Sequence, residues 1–385
     1  KDMPPDVLWP LRKNRGAQSE TDTGNSWAMG LSRRMIIVEK ENIPLIRVEN
    51  LKKYYPVKGG IITHTTGYVK AVDGVSFSVM RGQTLGLVGE SGCGKSTLAL
   101  SLMAFYFPPL TYLSGEICIE GRNIMALPYE ELRRTILGKE LAYIPQAAMN
   151  ALNPTKRVLN FVRDILREHC PEKSKEDVQK MLAERFALLG LPERAMYAYP
   201  NELSGGMKQR VVIAVSTILD PAVLIADEPT SALDVTSQKL VMKMMKDMLR
   251  LGIVKSIIYI THELPLLRHI TDDIMVMYAG QIVEHGTTEQ VIFDSIHPYT
   301  KALMGSIIVP EEGAKDWKLA GIPGAPPNLR HRIEGCRFAQ RCRYCGEQCP
   351  NHTGQRNRAL SDGRFYRCDL AEAQLREVYA RDYQR

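Results

Sequence analysis

No stretch of this 385-residue chain is apolar for long enough to cross a membrane. The longest apolar stretch, Val211 to Ala226, is broken by Ser216, Thr217, Asp220 and Pro221, short of the roughly 18 unbroken apolar residues of a spanning helix. Any membrane role is therefore peripheral. A strong charge of one sign is also missing. Fifty basic against 43 acidic side chains leave +7, an excess that suits a phosphate-bearing ligand or an anionic membrane surface without demanding nucleic acid. Residues 1–44 lack the apolar centre of a secretory signal; with Pro4, Pro5, Pro10 and the Gly/Ser/Thr-rich run Gln18 to Ser26, they read as a flexible or partner-bound cytoplasmic extension. No Met opens the chain, and Met35 is an equally plausible start. Cysteine is sparse before residue 336, at 93, 118 and 170 only. At 44% hydrophobic residues, a chain of this length can bury one large core and a smaller one.

What is present begins with Gly89-Glu90-Ser91-Gly92-Cys93-Gly94-Lys95-Ser96, which fits G-x-x-x-x-G-K-[ST] and is followed by Thr97. It lies between a buried strand, Thr84 to Val88, and a helix expected over Lys95 to Ala104. The glycines let successive N–H groups turn inward around an anion at the helix start. Lys95 supplies a charge for the outer phosphates, and Ser96 a hydroxyl for Mg²⁺. A second element, the apolar run from Val223, ends in Asp227-Glu228-Pro229. Ligand sites in open parallel sheets lie at such carboxyl ends; Asp227 is placed to hold Mg²⁺ and Glu228 to orient or deprotonate an attacking water. Between the two, Leu203-Ser204-Gly205-Gly206-Met207-Lys208-Gln209 opens a helix with Ser204 as its N-cap, a second anion-accepting helix start.

These segments together resemble the nucleotide-binding subunits of ATP-binding-cassette (ABC) transporters, whose signature loop is the Leu203–Gln209 run. The resemblance spans about residues 45 to 370 and rests on seven short motifs in the expected order. It implies a head-to-tail pair in which Ser204, Gly205, Gly206 and Gln209 of one subunit close over the ATP held by the other's phosphate loop. It also implies that Tyr55, with Tyr54 as competitor, stacks on adenine; that Gln146 touches Mg²⁺ and senses the membrane partner; that Asp234, in Ser231-Ala232-Leu233-Asp234, crosses the dimer interface; and that His262 senses the terminal phosphate.

The expected fold is α/β, a P-loop NTPase core of the ABC type. Strands at 45–48, 75–79, 84–88, 117–120, 141–144, 223–227, 256–261, 274–278 and 281–285 indicate a mixed, mainly parallel sheet with an antiparallel portion. Residues 150–203 read as a helical subdomain, with a capping box at Ser174 and Asp177; its apolar positions Val158, Phe161, Val162 and Ile165 suit its own core or the coupling helices of membrane subunits. The ATPase domain is expected over 45–309, ahead of a Pro/Gly linker and a small Cys-rich tail over 310–385.

His297-Pro298-Tyr299-Thr300-Lys301-Ala302-Leu303 resembles the end of the ATPase domain in the oligopeptide and dipeptide importers of this family. That branch implies two membrane-spanning permease subunits, a second ATPase subunit identical or related, an extracytoplasmic substrate-binding protein, and a place on the cytoplasmic face of the membrane. The cargo is peptide or oligosaccharide, and no nucleic acid is expected. Five thiols within 33 residues, at Cys336, Cys342, Cys345, Cys349 and Cys368, point to a metal in a cytosolic protein. By resemblance, Cys336, Cys342, Cys349 and Cys368 would hold a [4Fe-4S] cluster, with Cys345 as the alternative ligand in a ferredoxin-like Cys342-x2-Cys345-x3-Cys349-Pro350 run; zinc, disulfides and free thiols are the other readings. Two other functions share parts of this pattern: a soluble ABC ATPase acting on nucleic acid or ribosomes, and an iron–sulfur redox protein.

Overall fold

The structure, a computed structural model, describes residues 43–59, 64–104, 108–231, 233–306, 321–331, 333–351 and 357–382. Most of the N-terminal extension, Ala232, and residues 310–320 and 332 of the expected linker lie outside them. Two sheets carry the fold. The first is antiparallel, in the order β2-β1-β4-β5, from β1 (Ile46–Gly59), β2 (His64–Val79), β4 (Thr111–Ile119) and β5 (Arg122–Asn123). The second has the order β11-β12-β10-β9-β3-β8-β7-β6.

In this larger sheet, β6 (Leu141–Ile144), β7 (Val223–Asp227), β8 (Ser256–Ile260), β3 (Thr84–Val88) and β9 (Asp273–Tyr278) run parallel. β10 (Gln281–Thr287), β12 (Phe365–Arg367) and β11 (Asn357–Ala359) continue it antiparallel. The parallel strands are apolar apart from polar residues at their ends, such as Thr84, Asp227, Ser256 and Asp273, because both faces are covered. Leu85, Leu87, Ile225 and Ile258 face the antiparallel sheet and α1 (Lys95–Leu102). Their neighbours Val88, Leu224, Ala226, Ile257 and Tyr259 face the other helices.

Among those helices, α2 (Val158–His169) and α3 (Lys175–Leu188) form the helical part, with the capping box of Ser174 and Asp177 in place. Val158 and Val162 are buried, whereas Phe161 and Ile165 are half-buried and line a cavity of about 280 Å³ with Pro145, Leu152, His169 and Leu219. α4 (Gly205–Ser216) and α5 (Val235–Arg250) follow, then α6 (Thr288–Phe293) and α7 (Pro298–Gly305). The C-terminal segment adds β11 and β12 to the main sheet and keeps a small core of its own, in which Leu375 and Tyr379 of α8 (Glu372–Asp382) meet Ile296, Tyr366 and Cys368. No described helix is long and apolar enough to cross a membrane.

Candidate nucleotide site

The loop from Gly89 to Gly94 joins the fully buried β3 to α1. Two of its three glycines are required by close approach: a Cβ on Gly89 would sit 2.2 Å from the Met277 carbonyl oxygen, and one on Gly94, at φ +112°, 2.3 Å from that of Ala71. Lys95 is buried, and its Nζ donates to the carbonyls of Gly89 (2.7 Å) and Glu90 (3.1 Å). The ammonium thus lies over the loop, held by neutral acceptors that an anion can replace.

Motifs distant in sequence meet at the carboxyl end of β7. Asp227 is buried; Tyr143 donates to its Oδ2 at 3.2 Å, while Oδ1 has no hydrogen-bond partner among the described residues. Burial pushes its carboxyl up from the ordinary range, against hydrogen bonding to Ser96 and Tyr143. A buried carboxylate oxygen without a donor, beside a serine hydroxyl, is a donor set that fits Mg²⁺. Glu228 follows in a left-handed conformation (φ +49°), its N–H donating to the Ile260 carbonyl at 2.9 Å. That turn presents its carboxylate to Gln146 Nε2 at 3.0 Å and His262 Nδ1 at 2.9 Å. Two residues more than a hundred positions apart in sequence therefore converge on one carboxylate.

The two tyrosines are told apart by their partners. Tyr54 donates to Asp73, which also pairs with Arg337, and burial pushes the Tyr54 hydroxyl up from its ordinary value. Tyr55, the register partner of Val69, is half-buried and has no such hydrogen bond among the described residues. Ser204 caps α4, its Oγ accepting from Met207 N at 3.4 Å, and Asp234 caps α5 through Thr236 N and Ser237 N, both at 3.0 Å. Ser204, Gly205, Gly206 and Asp234 share a cavity of about 310 Å³ that no residue of the phosphate loop lines. Gln209 lies outside the lining of that cavity; it is buried and donates to the Pro229 carbonyl at 2.6 Å, tying α4 to the end of β7.

In the tail, Cys336, Cys342, Cys349 and Cys368 face one small cavity, while Cys345 is exposed and outside its lining. All eight cysteines are free of disulfides. Burial pushes the thiols of Cys336 and Cys342 up to about 12 and that of Cys368 up to about 11. Among the described residues no three His, Cys, Asp or Glu side chains close round a single metal ion.

Sequence reading missed Tyr143, although it stands in the same Tyr-Ile-Pro-Gln run as Gln146, and it missed the tail's hold on the loop. Arg341 donates to both Glu90 carboxylate oxygens, at 2.7 and 2.9 Å, and the Glu90 N–H donates to Tyr299 Oη at 2.9 Å.

A glycine loop crowned by lysine, a buried aspartate beside its serine, and a carboxylate positioned by glutamine and histidine define a nucleoside-triphosphate hydrolase of the P-loop class. Comparison with known proteins narrows this. The ABC transporter family matches residues 72–231, and the C-terminal region of the oligopeptide/dipeptide transporter family matches residues 283–349. An oligopeptide transport ATP-binding protein of Bacillus subtilis is 42% identical over 78% of this chain and 83% of its own length. A dipeptide transport ATP-binding protein of Caldanaerobacter subterraneus is 38% identical over 79% of this chain and 90% of its own. A solved ATP-binding cassette, a dimer in a post-hydrolysis state bound to ADP and Pi, superposes with a TM-score of 0.54 at 26% identity, covering 63% of this chain and 98% of that one. The chain belongs to the ATP-binding proteins of ABC transporters, in the oligopeptide/dipeptide branch, and is an ATPase coupled to transport.

Proposed function

We propose that this chain, peripheral on the cytoplasmic face of the membrane, hydrolyses ATP to drive uptake of dipeptides or oligopeptides through two membrane-spanning permeases. Its relatives are dipeptide and oligopeptide transport proteins, which favours peptide over oligosaccharide. The observation that carries the chemistry is the convergence of Gln146 and His262 on Glu228, one residue beyond the buried Asp227.

In this reading Tyr55 stacks on adenine, leaving Tyr54 to Asp73. The amides of Gly89, Glu90, Ser91, Gly92, Cys93 and Gly94, with Thr97 at the helix start, surround the phosphates, and Lys95 moves from its carbonyl acceptors onto the outer ones. Ser96, Asp227 and the Gln146 amide oxygen would hold Mg²⁺, which when bound would neutralise phosphate charge. Glu228 takes the proton of the attacking water, and His262 holds that carboxylate in place and faces the terminal phosphate. A second ATPase subunit, identical or related, supplies Ser204, Gly205, Gly206 and Asp234 over the nucleotide, and binding and hydrolysis close and reopen the pair. The apolar cavity beside Pro145, Phe161 and Ile165 adjoins the Gln146 loop and would receive a helix of the permease. The peptide reaches the permeases from an extracytoplasmic binding protein.

The four facing thiols support a second element of the reading, a [4Fe-4S] cluster on Cys336, Cys342, Cys349 and Cys368. A cluster spreads its thiolates over four irons and does not ask them to meet at one ion. Cys345 lies outside the cavity and is not needed. Anaerobic purification should give iron and labile sulfide in equal amounts, lost in Cys342→Ser and kept in Cys345→Ser; zinc, or no metal, would overturn it.

The main test is purification from membranes. The chain should bring two membrane-spanning proteins with it, and its ATP turnover should rise with peptide-loaded binding protein. Isolation with ribosomes or nucleic acid, and turnover indifferent to peptide, would refute the reading.

A further inference from the structure

The phosphate loop carries a charge of the wrong sign. Glu90 is the only acidic residue from Gly89 to Thr97, and an uncompensated carboxylate there opposes a polyphosphate by direct repulsion. The loop's own cation does not answer it, since Lys95 Nζ is given to the Gly89 and Glu90 carbonyls. The counter-charge comes from 251 positions away. Arg341 is 7% exposed and grips both Glu90 oxygens, a bidentate geometry that fixes direction as well as charge.

Arg341 is itself held from several sides. Its Nε donates to the Pro323 carbonyl at 2.8 Å, and its Nη1 lies 3.3 Å from the Tyr278 hydroxyl. It closes the short turn Ala339–Arg341 between Cys336 and Cys342. Nearby, Arg337 makes the parallel contact to Asp73 and the Ala279 carbonyl.

We propose that Arg341 is a positioning residue for nucleotide binding: from the C-terminal segment it neutralises Glu90 and draws the carboxylate away from the phosphates, so that the loop is fully anion-accepting only while the tail is docked. This rests on loop 89–96 being the triphosphate site. A lone bracing contact would predict something different from a charge shield, because only the shield is made unnecessary by removing the charge it covers.

The test is the Kd for Mg·ATP of the full chain and its variants, with folding checked by circular dichroism and thermal melting. Arg341→Ala should bind roughly tenfold more weakly, an effect that shrinks as salt is raised. Adding Glu90→Gln to Arg341→Ala should restore affinity to within about threefold of the parent, and Arg341→Lys should fall between. Unchanged binding in Arg341→Ala, or a double variant no better than the single one, overturns the proposal. Should Arg341→Ala not fold, Arg341→Lys decides: it should bind Mg·ATP more weakly than the parent and regain affinity when Glu90→Gln is added, and unchanged binding in Arg341→Lys, or a double variant no better than it, overturns the shield. Failure of the underlying reading looks different, since the parent chain itself would then not bind Mg·ATP and Lys95→Ala would change nothing.

Discussion

Replacing Glu228 by Gln removes a negative charge and a proton acceptor while keeping the shape of the side chain. Its backbone, at φ +49° with the N–H bonded to Ile260, places no demand that Gln cannot meet, and Gln146 can still donate to the new amide oxygen. Lys95, Ser96 and Asp227 are untouched, so affinity for Mg·ATP should stay within about threefold. A positioned general base contributes roughly 10²- to 10⁴-fold to such a step, so the barrier should rise by about 3–5 kcal/mol. The assay is phosphate release at saturating Mg·ATP beside equilibrium nucleotide binding, and the variant should also accumulate the closed two-subunit form. Hydrolysis within tenfold of the parent, with intact binding, would refute Glu228 as the base.

Tyr55→Ala should weaken ATP binding roughly tenfold, because base–aromatic stacking is worth about 1–3 kcal/mol, whereas Tyr54→Phe, which loses only the bond to Asp73, should leave the Kd within about twofold; isothermal titration distinguishes them. Asp294 ties α8 to the ATPase domain, and hydrogen bonds from Arg376, then Arg364, hold its carboxyl down to about 2 from an ordinary 3.8. Because the folded value is the lower one, its stabilisation is present above the unfolded value and is lost as the pH falls through the folded one. Thermal melts of the parent between pH 4 and 2 should therefore fall more steeply than those of Asp294→Asn.

The parallel strands could be read from the sequence because each is buried on both faces and so is apolar apart from its ends, as in Thr84–Val88 and Val223–Asp227. β1 and β2 run well past their expected ends because Tyr54 to Gly59 and His64 to Lys70 are half-exposed and mixed, with register shifts that break any alternation. β11 and β12, three residues each, are too short to show a period. The phosphate loop and Asp227-Glu228 were legible because each follows its strand directly in sequence. The Glu90–Arg341 pair was not, since nothing local couples residues 251 apart. The burial of Gln209 was not legible from its motif. This residue stands four residues before the buried Ile213 on α4, and that helical spacing turns it inward.

The most direct measurement is ATP-driven accumulation of a labelled dipeptide or oligopeptide in proteoliposomes containing this chain, its two permeases and the binding protein. Uptake should require ATP and vanish with Lys95→Ala. Accumulation that continues with that variant as the only copy of this chain, or an assembly that hydrolyses ATP yet moves no peptide, would contradict the assignment.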